Sequence, residues 1–281
     1  STTSLRRSSP RVLVLSDGYH GMDSDFIGMT APNHGIIKDP YILPLSKNED
    51  LIPIAAAVII EPVMTDFSEE RIEYLRALRK KCDETGAVLI FDEIITGFRF
   101  QTLSVATRYG IIPDLICFGK AIANGMPLSV VGGKKEVMEC EDYFVSSTYA
   151  GETLSLASAL KVMQLIKTPK YDLDYLWNKG AEFMFRFNSI WPEGVFLEGY
   201  PTRGVLKGKP IIRALFMQEA CKAGMLFGPS FFFNFHHTSL IDSVINVCND
   251  ILMRVKTGAV QLHGDMPVTP IAQQLREARN E

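Results

Sequence analysis

The sequence predicts an α/β protein built on a mainly parallel, doubly wound sheet, with a smaller α+β part toward the C-terminus. Three observations carry this. Short apolar runs recur at Val12–Leu15, Ala55–Ile60, Ala87–Phe91, Leu115–Phe118 and Leu128–Val131. An amphipathic helix lies between two of them. After about Thr168 the pattern changes to longer helical stretches and separate short strands.

Each run is short, continuous and bounded by Gly, Pro or charged residues, as strands buried on both faces are. The segment SEERIEYLRALRKKCDETG (68–86) spaces Ile72, Leu75, Leu78 and Cys82 on one helical face. Ser68 suits the N-cap, acids follow in the first turn, and Gly86 suits the stop. Strand, helix and strand joined at these lengths imply parallel pairing. Beyond Thr168, KTPKYDLDYLWNKG opens a helical stretch. Gly194–Leu197 and Ser230–Phe235 suit a second, small sheet, and the span between 197 and 210 is short enough to suggest that strands are missing there. Leu240–Val255 has the broad apolar face of a packed helix. The tail TPIAQQLREARNE is polar and prone to fraying. These features divide the chain into a large unit at 1–168 and a small one at 169–281.

Composition narrows the function. The chain has 281 residues, 47% hydrophobic and 22% charged, with formal net charge −3. No basic run marks a nucleic-acid surface, and no stretch of about 18 apolar residues marks a membrane span. The two arginines before VLVL precede a run too brief for a secretory signal. Five scattered cysteines match neither a disulfide framework nor a metal site, which favours the reducing cytoplasm.

Three strand ends concentrate polar residues: Glu61-Pro62, Asp92-Glu93 and Gly119-Lys120. Ligands of open parallel sheets bind beyond the carboxyl ends of the strands. Asp92 and Lys120, 28 positions apart, therefore face one crevice. Pyridoxal phosphate needs such a pair: an amine for its aldehyde and a carboxylate for its ring nitrogen. Desolvation and neighbouring cations would lower the lysine's proton affinity enough for attack on a carbonyl. An Asp-Glu strand end could also serve a nucleotide hydrolase, but the chain has no G-x-x-x-x-G-K-S/T loop, and Ala121 follows Lys120.

LIFDEIITGFRF (89–100) and PDLICFGKAIANGMPLSVVGGKKEVME (113–139) resemble the aspartate and lysine blocks of class III aminotransferases, a fold type I group. Within that class they are most similar to the glutamate-1-semialdehyde aminomutase branch. SDGYHG (16–21), EPVM (61–64) and SSTYAGETLSLASAL (146–160) are similar to three further blocks in the same order. The resemblance implies a pyridoxal-phosphate enzyme that transfers an amino group within or between small molecules, working as a homodimer. It makes Lys120 the Schiff-base lysine and Asp92 the partner of the pyridine nitrogen. Tyr19 would stack on the ring. Thr148 would reach the phosphate of the neighbouring subunit's cofactor, and could also cap the helix that follows it. His20 belongs with the cofactor-binding turn, without a catalytic part, and Glu61 with either the substrate side or the strand's structure. Glu93 is expected to support Asp92.

GYPTRGVLKG and the segment LFMQEACKAGMLFGPSFFFNFHHTSLIDSVINVCNDIL resemble the small domain of the same branch more loosely. Their wording is closest to members linked to surface-sugar synthesis, so a sugar or keto-sugar acceptor stands beside glutamate semialdehyde. A catalytically inactive relative acting as a partner subunit is the reading from a different class. The family pattern also leads one to expect an upstream segment with a Ser/Gly-rich phosphate loop at a helix N-terminus. This chain starts after that point. It is either a piece of a longer protein or one that holds its cofactor by fewer contacts.

Overall fold

A computed structural model describes residues 11–15, 18–21, 29–30, 41–45, 49–139 and 146–264. The polar tail, the first ten residues, Ser16, Asp17 and Cys140 lie outside these. Strands β1 (Val12–Val14), β2 (Ile42–Pro44), β3 (Ala57–Ile60), β4 (Val88–Asp92), β5 (Leu115–Phe118) and β6 (Val130–Gly133) form one sheet, ordered β2-β1-β3-β4-β5-β6. All pairings are parallel except β5 with β6. Two details depart from expectation. The last strand of this sheet begins two residues later than the Leu128–Val131 run, and β2 was not foreseen.

Helix α1 (Glu69–Thr85) matches its sequence signals. Ser68 accepts from the Arg71 N–H, Gly86 takes a left-handed φ of 71°, and Ile72, Leu75, Leu78 and Cys82 are buried. These side chains join Leu13, Val58, Ile60, Leu89 and Phe91 in the core of the large sheet.

Asp114, just before β5, ties this layer together. Its Oδ2 accepts from Arg79 Nη1 at 2.8 Å and from the Leu89 N–H at 2.7 Å, while Lys134 Nζ lies 2.7 Å from Oδ1. Burial pushes its carboxyl up, but the bonds from Lys134, Leu89 and Arg79 together hold it below the usual aspartate value. A depressed folded-state value means that the stabilisation is present above the ordinary carboxyl pKa and is lost as pH falls through the folded one. Asp114→Asn should therefore cost about 1.5–3 kcal/mol near neutrality. The gap in urea midpoint between wild type and variant should narrow below about pH 4. A gap independent of pH would contradict the assignment.

The C-terminal part packs helix α5 (Leu173–Asn188), α6 (Pro210–Lys222) and α7 (Ile241–Lys256) around an antiparallel sheet of β7 (Val195–Tyr200), β8 (Arg203–Gly208) and β9 (Ser230–Phe232). Strand β8 occupies the short span after 197: β7 and β8 pair along their whole length, with Tyr200 opposite Arg203. Phe183, Phe187, Phe216, Phe233, Ile245, Ile251 and Leu252 fill a second core. Among the described residues, no helix is long and apolar enough to cross a membrane.

Candidate active site

The parallel register sets the polar strand ends side by side. Ile60 pairs with Phe91 and Asp92 with Cys117, so Glu61, Asp92 and Lys120 all follow strands at the same edge of the sheet. The turn carrying Tyr19 and His20 leaves β1 at that edge too.

Asp92 is 6% exposed. Its Oδ2 accepts from His20 Nδ1 at 2.8 Å and its Oδ1 from the Ile94 N–H at 3.1 Å. A carboxylate offers about four acceptor positions, so this one keeps capacity for a further donor. His20 is seated by its own N–H, which donates to Thr30 Oγ1 at 3.2 Å, and its buried Nε2 lacks a partner among the described residues. Gly18 makes room for that ring, since a Cβ there would stand 2.8 Å from Nε2.

Glu61 is 5% exposed and accepts from the Tyr19 N–H at 2.9 Å. Burial pushes its carboxyl up, the Tyr19 bond opposes this, and Asp92 adds to the rise. The Tyr19 side chain itself is 45% exposed, leaving its ring accessible. Successive strand residues face opposite ways, and Glu93 accordingly turns from the crevice. It accepts from Thr96 Oγ1 and from the Val105 and Ala106 N–H groups. These two N–H groups begin helix α2 (Val105–Tyr109), where an anion satisfies otherwise unpaired donors. Glu93 is thus a structural support.

Lys120 begins the short 3-10 turn Lys120–Ile122 with φ of 46°, a left-handed conformation that costs a non-glycine residue about 1–2 kcal/mol. It opens on a cavity of about 580 Å³ walled mainly by Phe98, Leu165, Ile166, Phe232 and Phe235. Burial lowers its proton affinity; Asp92 and Glu61 oppose the drop, whereas Arg99 and Arg203 reinforce it. The amine is placed to be neutral more readily than a surface lysine.

Thr148 stands apart. It occupies an exposed turn and lines no part of the cavity. It does not cap helix α4 (Thr153–Leu165): Glu152 does, accepting from the Leu154 and Ser155 N–H groups at 2.6 and 2.8 Å. The expected second role of Thr148 is corrected accordingly, because a carboxylate one residue before the helix outcompetes a hydroxyl farther away.

Sequence reasoning passed over Arg99, Tyr200 and Arg203. Arg99 Nε, Arg203 Nε and Tyr200 Oη are all buried without hydrogen-bond partners among the described residues. Arg203 Nη1 donates to the Met64 carbonyl, and burial pushes the Tyr200 hydroxyl up to about 12. Among the described residues, no group of His, Cys, Asp and Glu could hold a metal ion.

The carboxyl edge of this parallel sheet thus joins a buried aspartate, a lysine whose proton affinity burial lowers, and an accessible tyrosine. Comparison with known proteins sharpens this. The family model for aminotransferase class-III matches residues 44–193, more than half of the chain, and the chain belongs to that family. It is 36% identical over 153 residues to the glutamate-1-semialdehyde 2,1-aminomutase of Caldicellulosiruptor saccharolyticus, covering 52% of this chain and 35% of that protein. With the enzyme of the same name from Chlorobium phaeobacteroides it shares 39% identity over 129 residues, 44% of this chain and 29% of the other. The chain therefore spans about a third of the length of these relatives.

Solved structures agree in fold. The PLP internal aldimine form of the FumI protein from Sphingopyxis sp. MTA144 superposes with a TM-score of 0.78 at 22% identity, covering 93% of this chain and 68% of that one. An omega-transaminase from Sphaerobacter thermophilus gives 0.75 at 17% identity, covering 91% and 70%.

Proposed function

We propose that the protein acts as a pyridoxal-phosphate-dependent transaminase or aminomutase, assembled as a homodimer from chains divided at about residue 168. The observation that carries this reading is the placement of buried Asp92 and of Lys120 at neighbouring strand ends, with the amine partly desolvated by its surroundings. The residues fit the ring of the cofactor: a buried carboxylate with acceptor capacity left, an accessible aromatic face and a lysine opening on a cavity. When bound, pyridoxal phosphate supplies an electron-accepting ring for the substrate carbon.

The chain's own groups do the rest. Asp92 would hold the proton of the ring nitrogen in place, and His20 orients Asp92 through the 2.8 Å bond. Tyr19 presents its ring as a stacking face, and Glu61 fixes that turn through the Tyr19 N–H. Lys120 would hold the aldehyde-bearing cofactor through Nζ, and its freed amine would carry a proton between Nζ and the substrate carbon. Thr148, exposed in its turn, is available to the phosphate held by a second copy.

Pyridoxal phosphate should be titrated into the chain at two protein concentrations, followed by borohydride reduction and peptide mapping. Modification of Lys120, with apparent affinity rising with protein concentration, supports the reading. A label on another lysine overturns the site, and affinity independent of concentration overturns the shared Thr148.

A further inference from the structure

We propose that the cleft between the loop after α6 and the start of α7 is a binding site for an uncharged aromatic molecule that carries a hydrogen-bond acceptor. This goes beyond the function proposed above and does not rest on it. The cleft holds about 320 Å³, at the lower end of the range for small-molecule sites. Strand β9 and the residue after it part the cleft from the Lys120 cavity. Phe231 lines the cleft, Phe232 lines the cavity, and Phe233 borders both. Successive strand residues face opposite ways, so the two sites lie on opposite sides of one strand.

Four rings build the wall: Phe183 of α5, Phe227 of the loop, Phe231 and Phe233. Phe231 meets Phe183 edge-on at 5.4 Å and Phe227 at a tilt at 5.6 Å, while Phe233 stacks on Phe183 at 5.8 Å. Each ring is thus held by another before any guest arrives, and aromatic faces favour a further ring. None of the lining residues is Asp, Glu, Lys or Arg. A charged guest would lose its water there and find no counterion. The one polar side chain in the wall is His237, whose ring stands 5.6 Å from that of Phe233. Its Nδ1 accepts from the Asn234 N–H at 3.3 Å, which puts the proton of the neutral imidazole on Nε2. Burial, then the neighbouring His236, lowers its proton affinity and favours that neutral form. The wall therefore offers one side-chain donor and no charge, and this selects an acceptor set in an aromatic ring. Leu226, 96% exposed, also borders the cleft, where a guest would take apolar surface out of water.

The test is calorimetric binding of quinoline, naphthalene and 1-methylquinolinium to the full 281-residue chain near neutral pH, where quinoline is uncharged. Quinoline should bind at least tenfold more tightly than the 1-methylquinolinium cation. Naphthalene keeps the shape and lacks the acceptor, so its affinity relative to quinoline reads the His237 bond. His237→Phe should shift that ratio toward naphthalene about fivefold, as the loss of one neutral hydrogen bond does. Val244→Trp, which fills the cleft from α7, should weaken quinoline at least tenfold. Saturating pyridoxal phosphate should leave quinoline binding within twofold. Near-ultraviolet circular dichroism checks that both variants fold, and the comparison with the cation needs no variant. Absence of quinoline binding, equal binding of the cation, or an unchanged ratio in His237→Phe overturns the proposal. Undiminished binding in Val244→Trp, or competition with pyridoxal phosphate, places the guest elsewhere and also overturns it. Quinoline affinity that falls as protein concentration rises makes the cleft a contact between copies, which overturns it as well.

Discussion

Lys120→Ala is expected to abolish amino transfer and the visible absorbance that develops with pyridoxal phosphate, while the fold survives. Lys120 is the one lysine lining the cavity among the described residues, so no other amine there can take its place. The loss of fold is expected to be slight because the side chain makes no hydrogen bond or ion pair among the described residues and its residue is exposed. Alanine must adopt the same left-handed φ of 46°, so it gains no backbone relief. Absorption spectroscopy and turnover, with circular dichroism as the folding control, check this. Activity above a thousandth of wild type would mean that another group forms the covalent link.

Asp92→Asn should leave cofactor attachment to Lys120 in place and slow proton removal from the substrate by a hundredfold or more. The substitution keeps the shape but removes the charge that holds the ring nitrogen protonated. It also presents an amide to His20 Nδ1, at 2.8 Å in the native site, so one orientation sets donor against donor. A charge-assisted hydrogen bond alone contributes about 1.5–3 kcal/mol, roughly ten- to hundredfold in rate, and the lost electron withdrawal adds to that. Rapid-mixing single turnovers supply the measurement. A rate near wild type would remove Asp92 from the role.

The strand ends were legible because burial on both faces leaves a polar residue conspicuous at the point where an apolar run stops. Asp92, Glu61 and Lys120 each close or follow such a run, and helix α1 declared itself through Ser68, Gly86 and a regular apolar stripe. Other parts depend on partners distant in sequence. Strand β2 is three residues ending in a proline, recognisable only when β1 supplies its ladder. Strand β8, RGVLKG, has little apolar content of its own and is defined by β7 and β9 on either side. The Arg99 side chain lies among apolar groups because Phe232, 133 positions later, closes over it. An arginine in a loop is ordinarily solvated, and no local pattern marks the exception. Glu152 rather than Thr148 caps the helix for a similar reason: the position of the first helical turn, which decides the cap, is set by the fold.

Tyr200 sits on β7 of the small sheet, yet its fully buried ring belongs to the core of the large one, 4.9 Å from Phe100 between centroids and stacked against Trp177 of α5. Thr202 and Arg203, on the same hairpin, bond to backbone carbonyls of Arg99 and Met64. The two halves are thus bolted through one corner, and neither core can open there without exposing aromatic surface belonging to the other. Melting of the chain should accordingly be a shared event, with the calorimetric and van't Hoff enthalpies converging on a single transition.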